Sequence, residues 1–218
     1  VDALDEVLAA DLEPFDRLLA TSQRTTFAAV VGAPTSEARA ALHDSSDGGP
    51  SAEFAAWDPE VWHAVATGAN EQARDAGLEA ARADPLNAPA FYERAAIGAA
   101  RLGDLATLDV ILAEFDALGR QGRALAATRA FLVALRAGEA LDGRRGDRVA
   151  AFRAAAAVQR DLACDFNVAL VQLEAARALG AGTPEGREAA AEARRIFERL
   201  GAEPLLALLD GLEAAVPA

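Results

Sequence analysis

Apolar residues in this chain recur at three- and four-residue steps, and no stretch of five or more residues alternates convincingly between apolar and polar. From Leu105 they run Leu105, Leu108, Ile111, Leu112, Phe115 and Leu118, with Asp109, Glu114 and Asp116 between them. That is the stripe of an amphipathic helix, ended near Gly119. A later segment repeats the pattern with Ala189, Ala193, Ile196, Phe197 and Leu200 and stops at Gly201. Thr183 followed by Pro184 supplies its cap and first-turn proline. Asp58-Pro59 is expected to open the helix around Trp62 in the same way, and Glu13-Pro14 to divide the first stretch into helices over residues 2–10 and 14–21.

Composition agrees. Hydrophobic residues make up 52% of the 218 positions but aromatics only 6%, because alanine supplies much of the apolar count. Alanine is the best helix former and lets helices approach closely, so the fold class is all-α, in one large or two small domains. The formal net charge is −13, and with no lysine present every basic side chain is arginine. A field of that sign repels phosphate backbones, which argues against nucleic-acid binding by this segment. Apolar runs such as residues 154–158 and 205–209 fall far short of a bilayer span, and no signal-peptide pattern opens the chain. A single cysteine, Cys164, excludes an internal disulfide and fits a cytoplasmic protein. The absence of methionine even at residue 1 points to a piece of something longer.

Internal repetition carries more information. Residues 11–20 align with 104–113, sharing Asp, Leu, Asp, Leu and Ala at matching places. A short turn precedes each, Ala10-Asp11 and Gly103-Asp104, and Gly146-Asp147 reads as a third such turn. Around Trp57 a large residue, small Ala73 and Ala80, and closing Pro85 follow one another. The next unit starts near Pro89 with Tyr92, Ala95 and Ala96, a third starts near Arg123, and residues 141–146 look like an insertion. These spacings resemble tetratricopeptide repeats, whose period is about 34 residues. The resemblance covers roughly residues 52–200 and departs from the pattern at Gly77 and at Gly98 or Ala99, where aromatics belong. It implies antiparallel helical hairpins stacked as a TPR-like α-solenoid. The expected layout is an N-terminal hairpin over 1–43 packing on the array, a flexible loop over 44–51, and the array with a C-terminal capping helix over 52–218. The tail over 193–208 is similar to the C-terminal helical regions of bacterial ATPase-containing regulators, namely LuxR-type transcription activators and class III adenylate cyclases. That likeness implies a regulatory helical region.

Candidate chemistry is sparse. A P-loop needs a lysine, and no GxGxxG stands in its place. His43, Asp44 and Asp47 could ligate a metal but sit in the expected loop, while His63 beside Trp62 and Glu60 reads as a helix-surface histidine. Neither HExxH nor paired cysteines occur. Cys164 precedes Asp165, whose charge raises a thiol pKa, so it reads as a small packing residue. Arg145-Gly146-Asp147 reads as a chance match to an integrin-recognition tripeptide. No catalytic residue, cofactor or resident metal is expected. The tetratricopeptide resemblance implies a concave groove lined by the first helix of each pair, which places Glu93, Ile97, Arg101 and Phe131 at a partner surface. The partner would be a protein or peptide, apolar or basic given the acidic field, with homo-oligomerisation through apolar helix faces also open. The expected function is non-catalytic protein interaction and regulation in bacterial signalling or transcription. The alternative is a stand-alone helical small-ligand binder or enzyme with an inter-helix pocket using His63 or Cys164.

Overall fold

The computed structural model describes residues 2–9, 14–44, 50–140 and 144–215. Among them every regular element is an α-helix. In chain order these are α1 (Asp2–Leu8), α2 (Pro14–Val30), α3 (Ser36–Asp44), α4 (Pro50–Thr67), α5 (Asn70–Ala83), α6 (Ala88–Arg101), α7 (Leu105–Ala117), α8 (Arg123–Glu139), α9 (Arg145–Asp161), α10 (Asp165–Leu179), α11 (Pro184–Leu200) and α12 (Glu203–Ala214). No helix among the described residues is long and apolar enough to cross a membrane.

Two expected boundaries move. The first long helix, expected to end near residue 21, continues to Val30, because Ala28, Ala29 and Val30 are buried as α2 packs on α4. Its Thr21 and Thr25 hydroxyls donate to carbonyls one turn back, so neither disrupts the helix. Asp58-Pro59 does not open a helix either; Pro59 lies inside α4. An interior proline removes one backbone hydrogen bond and costs about 3 kcal/mol. Burial of Ala55, Ala56, Val61 and Trp62 around it holds α4 continuous. Thr183 caps α11 as the sequence indicates, its hydroxyl accepting from the Gly186 amide. Gly146 and Asp147 form no turn but lie in the first turn of α9. The Ala10-Asp11 turn, residues 45–49 of the expected loop and residues 141–143 of the expected insertion lie outside the described residues. Pro50 and Ser51, also expected in the loop, open α4.

One turn recurs with nearly constant geometry. Gly68, Gly103, Ala163 and Gly201 take left-handed φ values of 74°, 69°, 56° and 65°. The next residues, Ala69, Asp104, Cys164 and Ala202, have φ near −84° and ψ near 70° and are the N-caps of α5, α7, α10 and α12. In each case the N-cap amide donates to the carbonyl five residues back: Ala64, Ala99, Gln159 and Phe197. This satisfies an orphan carbonyl of the preceding helix and reverses the chain in two residues.

Alternate helices pack side by side. α4 touches α6, α6 touches α8, α8 touches α10, α10 touches α12, and α12 returns to α4 and α2. Helices α5, α7, α9 and α11 lie outside this inner set, cross-linked by exposed ion pairs. Arg145, Arg153 and Arg160 of α9 meet Glu185, Glu188 and Glu192 of α11 in order, so the two run parallel. Stacked repeats touch only their neighbours; the return of α12 to α4 instead joins the two ends. Phe91, Ile97, Phe131, Leu132, Leu135, Leu170, Leu173 and Leu205 of the inner helices are sealed in the interior, as are Leu108 and Ile111 of α7 and Phe197 of α11, each contributing about 1.5–3 kcal/mol.

The departures at Gly77 and Gly98 have a steric cause. A Cβ at Gly98 would stand 2.6 Å from the Asn70 carbonyl oxygen and 2.7 Å from the Arg74 nitrogen, and one at Gly77 would meet the Ala95 side chain at 2.9 Å. Helices α5 and α6 approach too closely there for an aromatic ring.

Of the four turn residues only Ala163 carries a Cβ in the left-handed region, which costs roughly 1 kcal/mol. Ala163→Gly is therefore expected to raise the thermal midpoint by about 1–3 °C. Gly103→Ala, where a Cβ meets nothing within 4 Å, is expected to lower it by a similar amount. Circular dichroism melts of both variants check the pair.

Candidate functional site

The four residues carried over as groove-lining all sit in the interior. Glu93, Ile97 and Arg101 share one face of α6 at four-residue spacing, and every residue from Phe91 to Ala100 is buried. Ile97 and Phe131 are 0% and 1% exposed, Glu93 is 8% exposed, and the Arg101 side chain is 7% exposed. The space an open groove would occupy is filled by the leucines and phenylalanines of α6, α8 and α10 and covered by α12. The structure does bring Arg101 to partners that the sequence reading did not name.

Arg101 reaches across the inner helices. Its Nε donates to Glu174 Oε1 at 2.8 Å and its Nη1 to the Val65 carbonyl at 2.7 Å, tying α6 to α10 and α4. Glu174 is wholly buried. Its second oxygen accepts from Arg177 Nε at 2.8 Å, and Arg177 Nη2 donates to Glu139 at 2.6 Å. Burial alone would push the Glu174 carboxyl up, but the two guanidiniums more than offset it and hold the pKa below its ordinary value. Burial likewise opposes the charge on Arg177, and Glu174 and Glu139 reverse that into a raised pKa. Two arginines and two glutamates thus form a neutral chain of charge-assisted hydrogen bonds.

A second buried pair lies at the middle of α4. Asp58 accepts from the Thr26 hydroxyl at 2.7 Å and pairs with Arg94 at 2.6 Å. The Arg94 guanidinium lies 4.7 Å from the Trp62 ring centre, a cation–π contact that lowers the cost of enclosing it. Trp62 then meets Phe166 edge-on at 5.4 Å, and Phe166 meets Phe197 at 6.3 Å. Next to Arg94, Glu93 has the Thr128 hydroxyl as a hydrogen-bond donor at 3.0 Å. Burial raises its pKa, and neither Arg94 nor Thr128 cancels the effect.

The remaining sequence candidates do not converge. His63 is half-buried beside Arg39 and Glu60, and burial followed by the Arg39 charge lowers its pKa. Cys164 is half-buried as the N-cap of α10. His63 and Cys164 are thus held by different helices, and among the described residues no three His, Cys, Asp or Glu side chains are grouped so as to hold a metal ion. Asp47 lies outside the described residues, as do the side chains of His43 and Asp44. The signal that could have found the network is Glu174 itself, one acid in the run from Val168 to Ala176, which is apolar but for it and Gln172. An ionised group in such a run is enclosed only with a cation beside it.

Comparison with known proteins finds no match among family models, curated sequences or solved structures.

Removing one partner of an enclosed ion pair strands the others, so Glu174→Ala is expected to cost at least about 3 kcal/mol, read as a lower urea midpoint. The pH dependence has a definite sign. Glu174 ionises more readily folded than unfolded, so its stabilisation is full above the ordinary value of 4.5 and is lost as pH falls through its lower folded pKa.

Glu93 behaves oppositely, because its raised pKa contributes stability below 4.5 that is lost as pH rises through the folded value. Glu93→Gln keeps an acceptor for Thr128 without the charge. It is expected to raise the melting midpoint at pH 8 and to raise it less, or lower it, at pH 4; equal shifts at both would contradict this.

Proposed function

We propose that this chain is a non-catalytic regulatory and protein-interaction unit built from degenerate TPR-like helical repeats, and that it works within a bacterial ATPase-containing signalling or transcription-regulating protein in the cytoplasm. The observation that carries the reading is the recurrent two-residue turn at Gly68, Gly103, Ala163 and Gly201, which joins helices into hairpins whose alternate members pack side by side. The turn pairs Gly68 with Gly103 and Ala163 with Gly201 at about one repeat period, the solenoid-like element of the fold.

Because the inner faces are filled, recognition falls to the outside of the array. A groove of about 320 Å³ between α9, α10 and α11 is lined by the apolar Phe152, Leu179 and Ala189, by Glu185, Glu188 and Glu192, and by Arg153 and Arg160, which pair with Glu188 and Glu192. Apolar groups beside three acids and two arginines, in a chain of net charge −13, suit a basic, amphipathic protein segment that exchanges for those arginines. The expected partner is therefore such a segment, supplied by another module of the same protein or by a second protein.

Deletion of residues 52–215 from the full-length protein is expected to uncouple its output from its signal while ATP hydrolysis persists. A signal response unchanged by the deletion, or turnover of a substrate by the isolated chain, overturns the reading. Charge reversal of Glu185, Glu188 and Glu192 together, which also breaks their ion pairs with Arg145, Arg153 and Arg160, is expected to produce the same uncoupling, with circular dichroism showing that the chain keeps its helices.

A further inference from the structure

Helix α7 carries more apolar surface than its neighbours cover. It packs on α6 and α8 and buries Leu108, Ile111 and Phe115, while Ala106, Val110, Ala113 and Ala117 stay exposed on its other side. Beside it, α8 exposes Ala126 and Val133. The two valines remain 46% and 38% exposed.

Charge on this hairpin is sorted by helix. Asp109 and Asp116 stand seven residues apart on α7, and Arg129 and Arg136 stand seven apart on α8. Arg129 holds Asp116 through Nε and Nη2 at 2.7 and 2.9 Å, and Arg136 Nε donates to Asp109 at 2.9 Å. Ala113 lies between the aspartates and Val133 between the arginines, at four- and three-residue steps, so charges and apolar groups share one face of the hairpin. The four charged side chains are 40% to 55% exposed, so a second chain can still reach them.

Such a face complements a copy of itself. Turned about a twofold axis running along the hairpin, α7 of one copy lies over α8 of the other, with Asp109 against the other Arg136 and Asp116 against the other Arg129. A twofold across the hairpin instead sets α7 on α7 and aspartate against aspartate. A partner of one charge sign would meet two like charges here, whereas the self-copy meets none. We infer from this that the outer face of the α7–α8 hairpin joins two copies of the chain about the lengthwise twofold. Val110 and Ala113 of one copy lie against Val133 of the other, and Ala117 against Ala126. The two ion pairs of each hairpin become part of a shared network, as charged rows select pairing and orientation between helices. The −13 net charge of each copy opposes association, so the dimer is concentration-dependent. The face is separate from the α9–α11 groove, and either can fail without the other.

The test is sedimentation equilibrium of the intact chain over a range of concentrations, with the mass expected to rise from one chain towards two. Val133→Glu, which sets an acid against the other copy's aspartates, is expected to weaken the dimer about tenfold or more. A swapped chain carrying Asp109→Arg, Asp116→Arg, Arg129→Glu and Arg136→Glu keeps both internal ion pairs and its self-complementarity. It is expected to dimerise with itself but not with the original chain, because α7 of either would then face like charges on α8 of the other; native mass spectrometry of the mixture reads this. A single-chain mass at every concentration up to about 1 mM, a dimer indifferent to Val133→Glu, or mixed dimers as abundant as the unmixed ones would each overturn the proposal. If Val133→Glu fails to fold, the concentration series and the mixing experiment decide it alone.

Discussion

Glu174 is an ionised acid sealed among buried residues of α10 that are otherwise alanine, valine and leucine, and the placing of the inner helices depends on how that charge is met. The cost of enclosing a bare carboxylate is several kcal/mol. It is offset only because Arg101 arrives from α6 and Arg177 from the next turn of α10, with Glu139 of α8 completing the chain. Arg101 then has to lie where its Nη1 also finds the Val65 carbonyl of α4. Leucine and alanine contacts tolerate small slides, whereas these hydrogen bonds do not. The network thus fixes the register of α4, α6, α8 and α10 relative to one another, and the apolar interior packs around that register.

Small residues set the distances. With α5 and α6 close enough that a single methyl at Gly98 would strike backbone atoms, the pair behaves as one rigid hairpin. Ala73, Ala80, Ala95 and Ala96 are buried for the same reason. This explains how a chain with few aromatics still encloses a continuous interior: close approach replaces ring volume.

The all-helical class, the amphipathic stripe of α7, the Thr183 cap and the stop at Gly201 were legible in the sequence because each rests on local chemistry. The recurrent turn was visible only at Gly103-Asp104; its other members have alanine or cysteine at the cap and, once, alanine in place of glycine, so residue identity hides a shared backbone shape. Pro59 misled because a proline after an aspartate resembles a helix start, and only the burial of the residues on both sides keeps α4 intact. Glu93, Ile97 and Arg101 share a face of α6 that four-residue spacing makes visible, but what lies opposite that face, or opposite Phe131 of α8, is a long-range fact. The return of α12 to α4, distant in sequence, decides whether the face is open or enclosed.

That closure shifts the chemistry available for recognition. In an open array the concave side offers side chains to a ligand; here the same side chains spend their hydrogen bonds on one another, and Arg101 keeps only one nitrogen unpaired among the described residues. The surface left over is dominated by acidic groups, of which many are matched across helices by arginines, as along α9 and α11. Exposed pairs of this kind contribute little stability individually, and they exchange readily for a partner's cations. An excess of acids with −13 net charge then leaves a negative field over the outside of the molecule, while the charges of the buried network already cancel one another.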